Sequence, residues 1–374
     1  MTIAAAVVAA LCLAWVAFAY AGYPLALWLL RAVSPRALRR EDRFPPISVI
    51  LAVHNGERAL AHKLEATLAQ DYPGRVQLIV SSDGSTDGSA AIATSFAARG
   101  VLLLNHPERQ GKEAAQARAI ARADGEILLF TDVTSEFEPG ALRALVRPFA
   151  DPSVGAVSSE DAVDPEASEG AYVRYEMALR RLESEATTLI GVSGSGFAIR
   201  RSLASPWPTD LASDFRVALE AARRGLRAVS EPGARVRVGV VRASGAEWQR
   251  KVRTVSRGIA VLLAHRELLH PRFGRAAFSV WGHKLARFTS PFALLGLLAA
   301  SVVLAGQCAA GRWLLGAQLI AYATALLALG VPAVARMRLP RLAGFFLLVN
   351  AATCVAWLRH LRGRRTLVWQ PTER

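Results

Sequence analysis

Polar and acidic residues stand where three apolar stretches end. His54 and Glu57 follow ISVILAV (47–53), Asp83 follows VQLIV (76–80) inside SSDGSTDGS, and Asp132 closes EILLFTD (126–132). A carboxylate in such a place can hold a divalent cation, or accept hydrogen bonds from a ring such as uracil or from ribose hydroxyls. Gly84 and Gly88 permit a close backbone approach. Ser85, Thr86 and Asp87 can equally cap the next helix, so DGSTDG also reads as a plain turn. Asp132 reads either as a metal contact or as a strand-end acid. In LLFTDVTSEFEP (128–139) the place of a second metal-binding carboxylate, two residues on, is taken by Thr134.

The elements that must position these groups alternate. ISVILAV, VQLIV, VLLLN (101–105) and EILLFTD are short apolar runs bounded by breakers, the pattern of buried strands. Between them, residues 57–70, AAIATSFAARG up to Gly100, and GKEAAQARAIARADG read as helices with stops. Strand and helix in alternation with short loops predict an α/β fold with a mainly parallel sheet covered on both faces. Open sheets of this kind bind ligands outside the C-terminal ends of their strands, where His54–Glu57, Asp83–Asp87 and Asp132 all lie. Further on, 170–189 reads as a charged helix and GVSGSGFAIRR (191–201) as a Gly-rich turn into a strand. Asp214 falls near the start of a helix ending at Gly225, and EWQRKVRTVSRG (247–258) reads as a basic helix.

The flanks are of another kind. No charge occurs from Ile3 to Leu30, and charge-free runs return at about 289–311, 313–335 and 342–358. Runs of roughly 17–25 apolar residues cross a bilayer core of about 30 Å. The first run lacks a basic n-region and is followed by Arg31, Arg36, Arg39, Arg40 and Arg43, which predicts a retained anchor with its basic side in the cytoplasm. RAAFSVWGHKLARF (275–288) mixes aromatic, apolar and basic residues as an interfacial amphipathic helix does, a plain core helix being the other reading. The expected organisation is an N-terminal transmembrane helix (1–31), a catalytic domain (44–270), an interfacial helix (271–288), about three C-terminal transmembrane helices (289–359) and a basic tail (360–374). The net charge of +15 lies largely beside the apolar runs, as in Arg336, Arg338, Arg341, Arg359, Arg362, Arg364 and Arg365. It therefore reads as topology and lipid charge, and no nucleic-acid partner is expected. Cys12, Cys308 and Cys354 sit inside apolar runs without metal-ligand spacing, and His265, His270 and His283 read as ordinary surface or interface residues.

Four blocks in order resemble the family 2 glycosyltransferases: ISVILAVHNGE, LEATLAQDYPG, LIVSSDGSTDGS and RQGKEAAQARAIARADGEILLFTD. The likeness runs from Ile47 to about Pro291 and is nearest in style to membrane-bound, synthase-like members. It implies a GT-A (Rossmann-like) domain in the cytoplasm and roles for single positions. Ala52, His54 and Glu57 would line the base and ribose, and Asp83 would hold uracil or ribose. Lys112 would lie near the nucleotide sugar, and Asp132 would coordinate Mg²⁺ or Mn²⁺ on the diphosphate. Asp214, in LASDFRVAL, would be the general base for the acceptor hydroxyl. Gln249, Arg250 and Arg253 resemble a degenerate QxxRW motif that grips pyrophosphate and acceptor. Gly191, Gly194 and Gly196, with Ser195 between, resemble the loop near the acceptor. The chain departs from the family pattern at Ala52, His54, Ser82, Ala117, Thr134 and Thr254.

The reaction implied is single displacement with inversion, from a nucleotide-sugar donor, taken as a UDP-sugar, to a polysaccharide or lipid-linked acceptor. A departing diphosphate needs cations, and an attacking hydroxyl needs a base within reach. Two other readings stand beside it: transfer of one sugar to a lipid carrier without processivity, and a catalytically weak nucleotide-binding subunit serving as a membrane scaffold. The expected location is the cell (inner or plasma) membrane, multi-pass, with the catalytic domain cytoplasmic.

Overall fold

The structure is a computed structural model that describes residues 2–162, 170–238 and 244–363. The expected basic tail lies outside the described residues from 364 onward. The chain divides into two compact units. One holds Leu27–Arg242 and Leu263–Ser279; the other holds Met1–Ala26, Ala243–Leu262 and Val280–Arg365.

The first unit is built on one eight-stranded sheet. Its strands are β1 (Ile47–Val53), β2 (Val76–Asp83), β3 (Val101–His106), β4 (Ile127–Thr131), β5 (Ser135–Phe137), β6 (Val154–Ala162), β7 (Gly196–Arg200) and β8 (Arg227–Val238). They lie in the order β3-β2-β1-β4-β7-β6-β8-β5. β3, β2, β1 and β4 are parallel, as the alternation predicts. β7 runs antiparallel to both β4 and β6, β8 is parallel to β6, and β5 is antiparallel to β8, so the sheet is mixed and mostly parallel.

All seven residues of β1 are buried, and alternate residues feed two cores. Ile47, Val49, Leu51 and Val53 meet Leu60, Leu64, Leu78 and Val80 on one face. Ile50 meets Ile79, Leu128, Phe130 and Phe197 on the other. This is the period-2 consequence of a strand covered on both sides. Phe130, two residues before Asp132, is stacked between Phe197 (4.8 Å between centroids) and Trp207 (5.0 Å). The buried Arg216 guanidinium lies over Trp207 at 4.4 Å. That column stiffens the end of β4.

The second unit is helical. Among the described residues four helices are long and apolar enough to cross a membrane: Thr2–Val33, Arg275–Ala305, Ala309–Gly330 and Arg338–Leu361. The first contains a π-helical turn, Phe18–Gly22, just before Pro24. A proline lacks the N–H that closes an α-turn and crowds the carbonyl four residues back, and a widened turn relieves both. Trp15 Nε1 donates to Thr289 Oγ1 (2.9 Å) and Trp357 Nε1 to the Phe288 carbonyl (2.9 Å), tying helices together where apolar faces alone are not selective.

Two boundaries differ from the sequence expectation. Residues 271–288 do not form a separate element, because Arg275–Ala305 is one helical run through a π-turn at Val280–Leu285. No proline interrupts it there, and Gly282 lets the Tyr23 ring lie against its backbone, where a Cβ would meet that ring at 2.0 Å. Residues 243–262, expected inside the catalytic domain, group with the apolar helices. Their helix, Ser244–Ala264, places Lys251 over the Phe345 ring at 4.9 Å.

Candidate active site

The C-terminal edge of β1, β2 and β4 carries the polar groups, and loops knit it together. Asn55 sits in the left-handed region (φ 51°), which Asn tolerates better than most side chains. Its Oδ1 accepts from Thr86 N at 2.8 Å. Glu57 and Asp87 are reciprocal: Glu57 N donates to Asp87 Oδ2 (3.0 Å), and Gly88 N donates to Glu57 Oε2 (2.7 Å). Each carboxylate thus satisfies a backbone donor at the start of the other's helix. His54 Nδ1 donates to the Asp83 carbonyl at 2.8 Å, which makes Nε2 the acceptor of the neutral ring. Ala52 is buried within β1 beside these groups.

Asp83 is buried and accepts three hydrogen bonds. Gln110 N (3.0 Å) and Arg118 Nη2 (2.8 Å) reach Oδ1, and Gly111 N (2.6 Å) reaches Oδ2. The carboxylate that the resemblance gives to uracil or ribose thereby holds the loop that starts the Lys112 helix. Gly111 has φ 105°, a conformation open to glycine at low cost.

Lys112, Asp132, Gly194 and Asp214 are brought together. Lys112 Nζ donates to Asp132 Oδ1 at 2.5 Å, with the two side chains only 13% and 23% exposed, so water screens the pair weakly. Burial works against the Lys112 charge. Asp132, then Asp214 and Glu113, outweigh it and hold the ammonium above its ordinary value. Asp214 lies in the first turn of the helix Ser213–Arg223, where its Oδ1 accepts from Phe215 N (2.8 Å). Its Oδ2 faces Gly194, where a Cβ would come within 3.2 Å. Val192 N donates to the Asp214 carbonyl (2.9 Å), which ties the Gly-rich loop to the start of the Asp214 helix.

Beneath Asp132 lies a hub that sequence reasoning missed. Lys63 is buried, and its Nζ donates to Thr131 Oγ1 (2.9 Å) and the Ser135 carbonyl (2.6 Å). The Ser195 carbonyl accepts from both Thr131 Oγ1 and Ser135 Oγ at 2.9 Å, and Ser135 Oγ is also 2.8 Å from the Asp132 carbonyl. Burial pulls the Lys63 ammonium down to about 7, against Asp132 and Glu136. The available signal was its position: Lys63 falls on the buried stripe Leu60, Lys63, Leu64, Thr67 of its helix. Asp132 opens a tight turn, Ser135 N donating to its carbonyl at 3.3 Å, and Thr134 points outward, exposed.

Gln249, Arg250 and Arg253 belong to the second unit, on Ser244–Ala264. Burial, then Arg257 and Arg250, lower the Arg253 guanidinium, as expected for arginines spaced along one helix face.

Residues 48–205 match the family model described as glycosyl transferase family 2. This segment is a family 2 glycosyl transferase domain. It is similar to an N-acetylglucosaminyltransferase of Rhizobium sp. (strain N33), 30% identical over 161 residues, covering 41% of this chain and 35% of that protein. A second relative, an N-acetylglucosaminyltransferase of Rhizobium leguminosarum bv. trifolii, is 29% identical over 125 residues, 32% of this chain and 69% of that one. The chain thus spans about a third of the length of the first of these relatives. Among solved structures, the mannosyltransferase of Pyrobaculum calidifontis in complex with GDP-Man and Mn²⁺ superposes with a TM-score of 0.74 at 24% identity, over 96% of this chain and 99% of that one. That likeness establishes the fold: the family 2 domain has the GT-A-like α/β architecture, here with apolar helices at both ends.

The metal expected of such a domain can be tested against the donor set. Among the described residues no group of three or more His, Cys, Asp or Glu side chains could hold an ion. The family 2 domain offers Asp132, part-exposed, with only a hydroxyl at Thr134. One carboxylate fits a magnesium-type ion that takes its remaining ligands from phosphates and water, and does not fit a protein cage.

Proposed function

We propose that the chain is a membrane-bound inverting glycosyltransferase that moves a sugar from a nucleotide-sugar donor, a UDP-sugar, to a polysaccharide or lipid-linked acceptor. The observation that carries this reading is the convergence of Lys112 and Asp132 with Asp214 and Gly194 at one sheet edge. His54, Glu57 and Asp83 shape the neighbouring loop ends for the nucleoside. Asp214 takes the proton of the acceptor hydroxyl. The freed oxygen attacks the anomeric carbon, the bond from that carbon to the diphosphate breaks on the opposite face, and the nucleoside diphosphate carries the charge away. Gly194, lacking a side chain, leaves the acceptor oxygen room beside Asp214. Lys112 places a cation where the diphosphate charge grows, and Gln249, Arg250 and Arg253 are assigned to the pyrophosphate and acceptor. A Mg²⁺ or Mn²⁺ ion held by Asp132 and the donor's own phosphates would neutralise the leaving group.

The membrane reading is supported by the four long apolar helices and their outward faces, with Leu11, Trp313 and Ile320 at 65%, 81% and 70% exposure. On this reading the protein is a multi-pass protein of the cell membrane with its catalytic domain in the cytoplasm. The test is a donor panel (UDP-glucose, UDP-N-acetylglucosamine, GDP-mannose) offered to the full chain in nanodiscs, with product mass analysis. Transfer of one sugar only, from any donor, selects the non-processive form. Nucleotide binding with no transfer and no donor hydrolysis across the panel overturns the enzymatic reading.

A further inference from the structure

Three arginines far apart in sequence line one cavity of about 540 Å³: Arg36, Arg227 and Arg275. Each guanidinium is held in place by carbonyls. Arg36 Nη1 reaches the Thr187 carbonyl (3.4 Å). Arg227 Nη1 donates to the Ala37 carbonyl (3.2 Å), and its Nη2 to those of Arg36 (3.2 Å) and Ser184 (2.6 Å). Arg275 Nη1 donates to the carbonyls of Ser34 (3.1 Å) and Ala186 (2.9 Å), and its Nη2 to Ser34 Oγ (2.6 Å). Among the described residues none of the three is paired with a carboxylate. The acid that acts on Arg36 and Arg227 is Asp151, whose own Oδ1 accepts from Ser153 N and Oγ. Burial and then Arg275 lower the Arg36 guanidinium; burial and then Arg36 bring Arg227 to about 10. The buried Nε of Arg227 has no acceptor among the described groups. Three fixed like charges that repel one another, with donors to spare, form a preorganised anion receptor.

The cavity is separate from the Asp132 cluster. Arg227 opens β8 opposite Val154, the start of β6, whereas Thr131 and Gly196 mark the other edge of the sheet. Its sequence position says where it stands: Arg36 follows the candidate span Thr2–Val33 by three residues, and Arg275 opens the candidate span Arg275–Ala305. We propose that Arg36, Arg227 and Arg275 bind a phosphate ester group, supplied at the ends of these two spans by the headgroup of an anionic membrane lipid. A cluster of three cations next to the ends of two candidate spans, none of them in an ion pair among the described residues, suits a lipid phosphate and repels the choline of a zwitterionic one.

The test uses the full chain in detergent, titrated with short-chain phosphatidylglycerol, short-chain phosphatidylcholine and inorganic phosphate, and read by native mass spectrometry and thermal unfolding. Phosphatidylglycerol should bind in preference to phosphatidylcholine. In the double variant Arg36→Gln with Arg275→Gln its affinity should fall roughly thirtyfold, since each cation near a membrane surface contributes about fivefold. The charge-keeping pair Arg36→Lys with Arg275→Lys should recover most of it, which a purely structural role for the side chains would not produce. Arg227 is left intact because it holds three carbonyls. Binding of inorganic phosphate without preference for phosphatidylglycerol assigns the site to a soluble phosphate ester. Equal binding of both lipids with no response to phosphate, or a folded Gln variant that binds phosphatidylglycerol like the wild type, overturns the proposal.

Discussion

Lys112 Nζ lies 2.5 Å from Asp132 Oδ1, so the carboxylate proposed as the metal contact already holds a resident cation. A metal held by Asp132 would compete with this ammonium for the carboxylate. A hydrogen bond between charged groups contributes about 1.5–3 kcal/mol, enough to weaken ion binding by tenfold or more. The wild type should therefore bind Mn²⁺ poorly alone and clearly with a sugar nucleotide, whose phosphates draw Lys112 away. In Lys112→Met, Mn²⁺ affinity without nucleotide should rise about tenfold while donor affinity falls. Titration of free Mn²⁺ by electron paramagnetic resonance reads both, and an unchanged apo affinity in the variant would remove the competition.

Asp214 and Gly194 should act on the chemical step. Asp214→Asn removes the base and should lower kcat by about 10²–10⁴ with donor affinity kept. Gly194→Ala places a methyl group 3.2 Å from Asp214 Oδ2, and should lower kcat with little change in unfolding midpoint. Full transfer rate in Asp214→Asn would sink the base assignment.

Asp83 should matter through the loop it holds. Asp83→Ala strands Gln110 N, Gly111 N and Arg118, so a loss of about 2–4 kcal/mol in stability is expected, together with weaker nucleotide binding. Chemical denaturation and nucleotide calorimetry on the same preparation measure the two effects separately.

Lys63 should give a pH signature. Its folded pKa, about 7, lies below the unfolded lysine value of about 10.4, so between these pH values the unfolded chain holds a proton that the folded chain has released. Its contribution to stability is thus fullest above the unfolded pKa and is lost as pH falls toward 7. The difference in stability between wild type and Lys63→Met should change across that window and be flat below it. The variant should also lower transfer, because Thr131 and Ser135, whose hydroxyls hold the Ser195 carbonyl, lose their common anchor. Parallel stability curves for the two proteins from pH 6 to 10 would argue against a depressed Lys63 (a window of about four units).

Much of this protein was legible in the chain itself. β1 and β4 are nearly continuous apolar runs because a strand covered on both faces leaves little polar side to display, and the four long apolar helices announce themselves by length and composition. The acids at strand ends follow from the same reading. The outer half of the sheet was harder. β6, VGAVSSEDA, is polar at its end, and β5 is three residues long, paired with β8 a hundred residues away. Such strands exist through their partners rather than through their own pattern. Tertiary structure alone decided that Asp83 clamps a loop, that Lys112 neutralises Asp132, and that Lys63 anchors Thr131 and Ser135. It also decided that Arg36, Arg227 and Arg275 share one cavity. Hydrophobic periodicity reports which side of an element is buried, whereas the partner of a buried charge is set by chain crossings that no local pattern encodes.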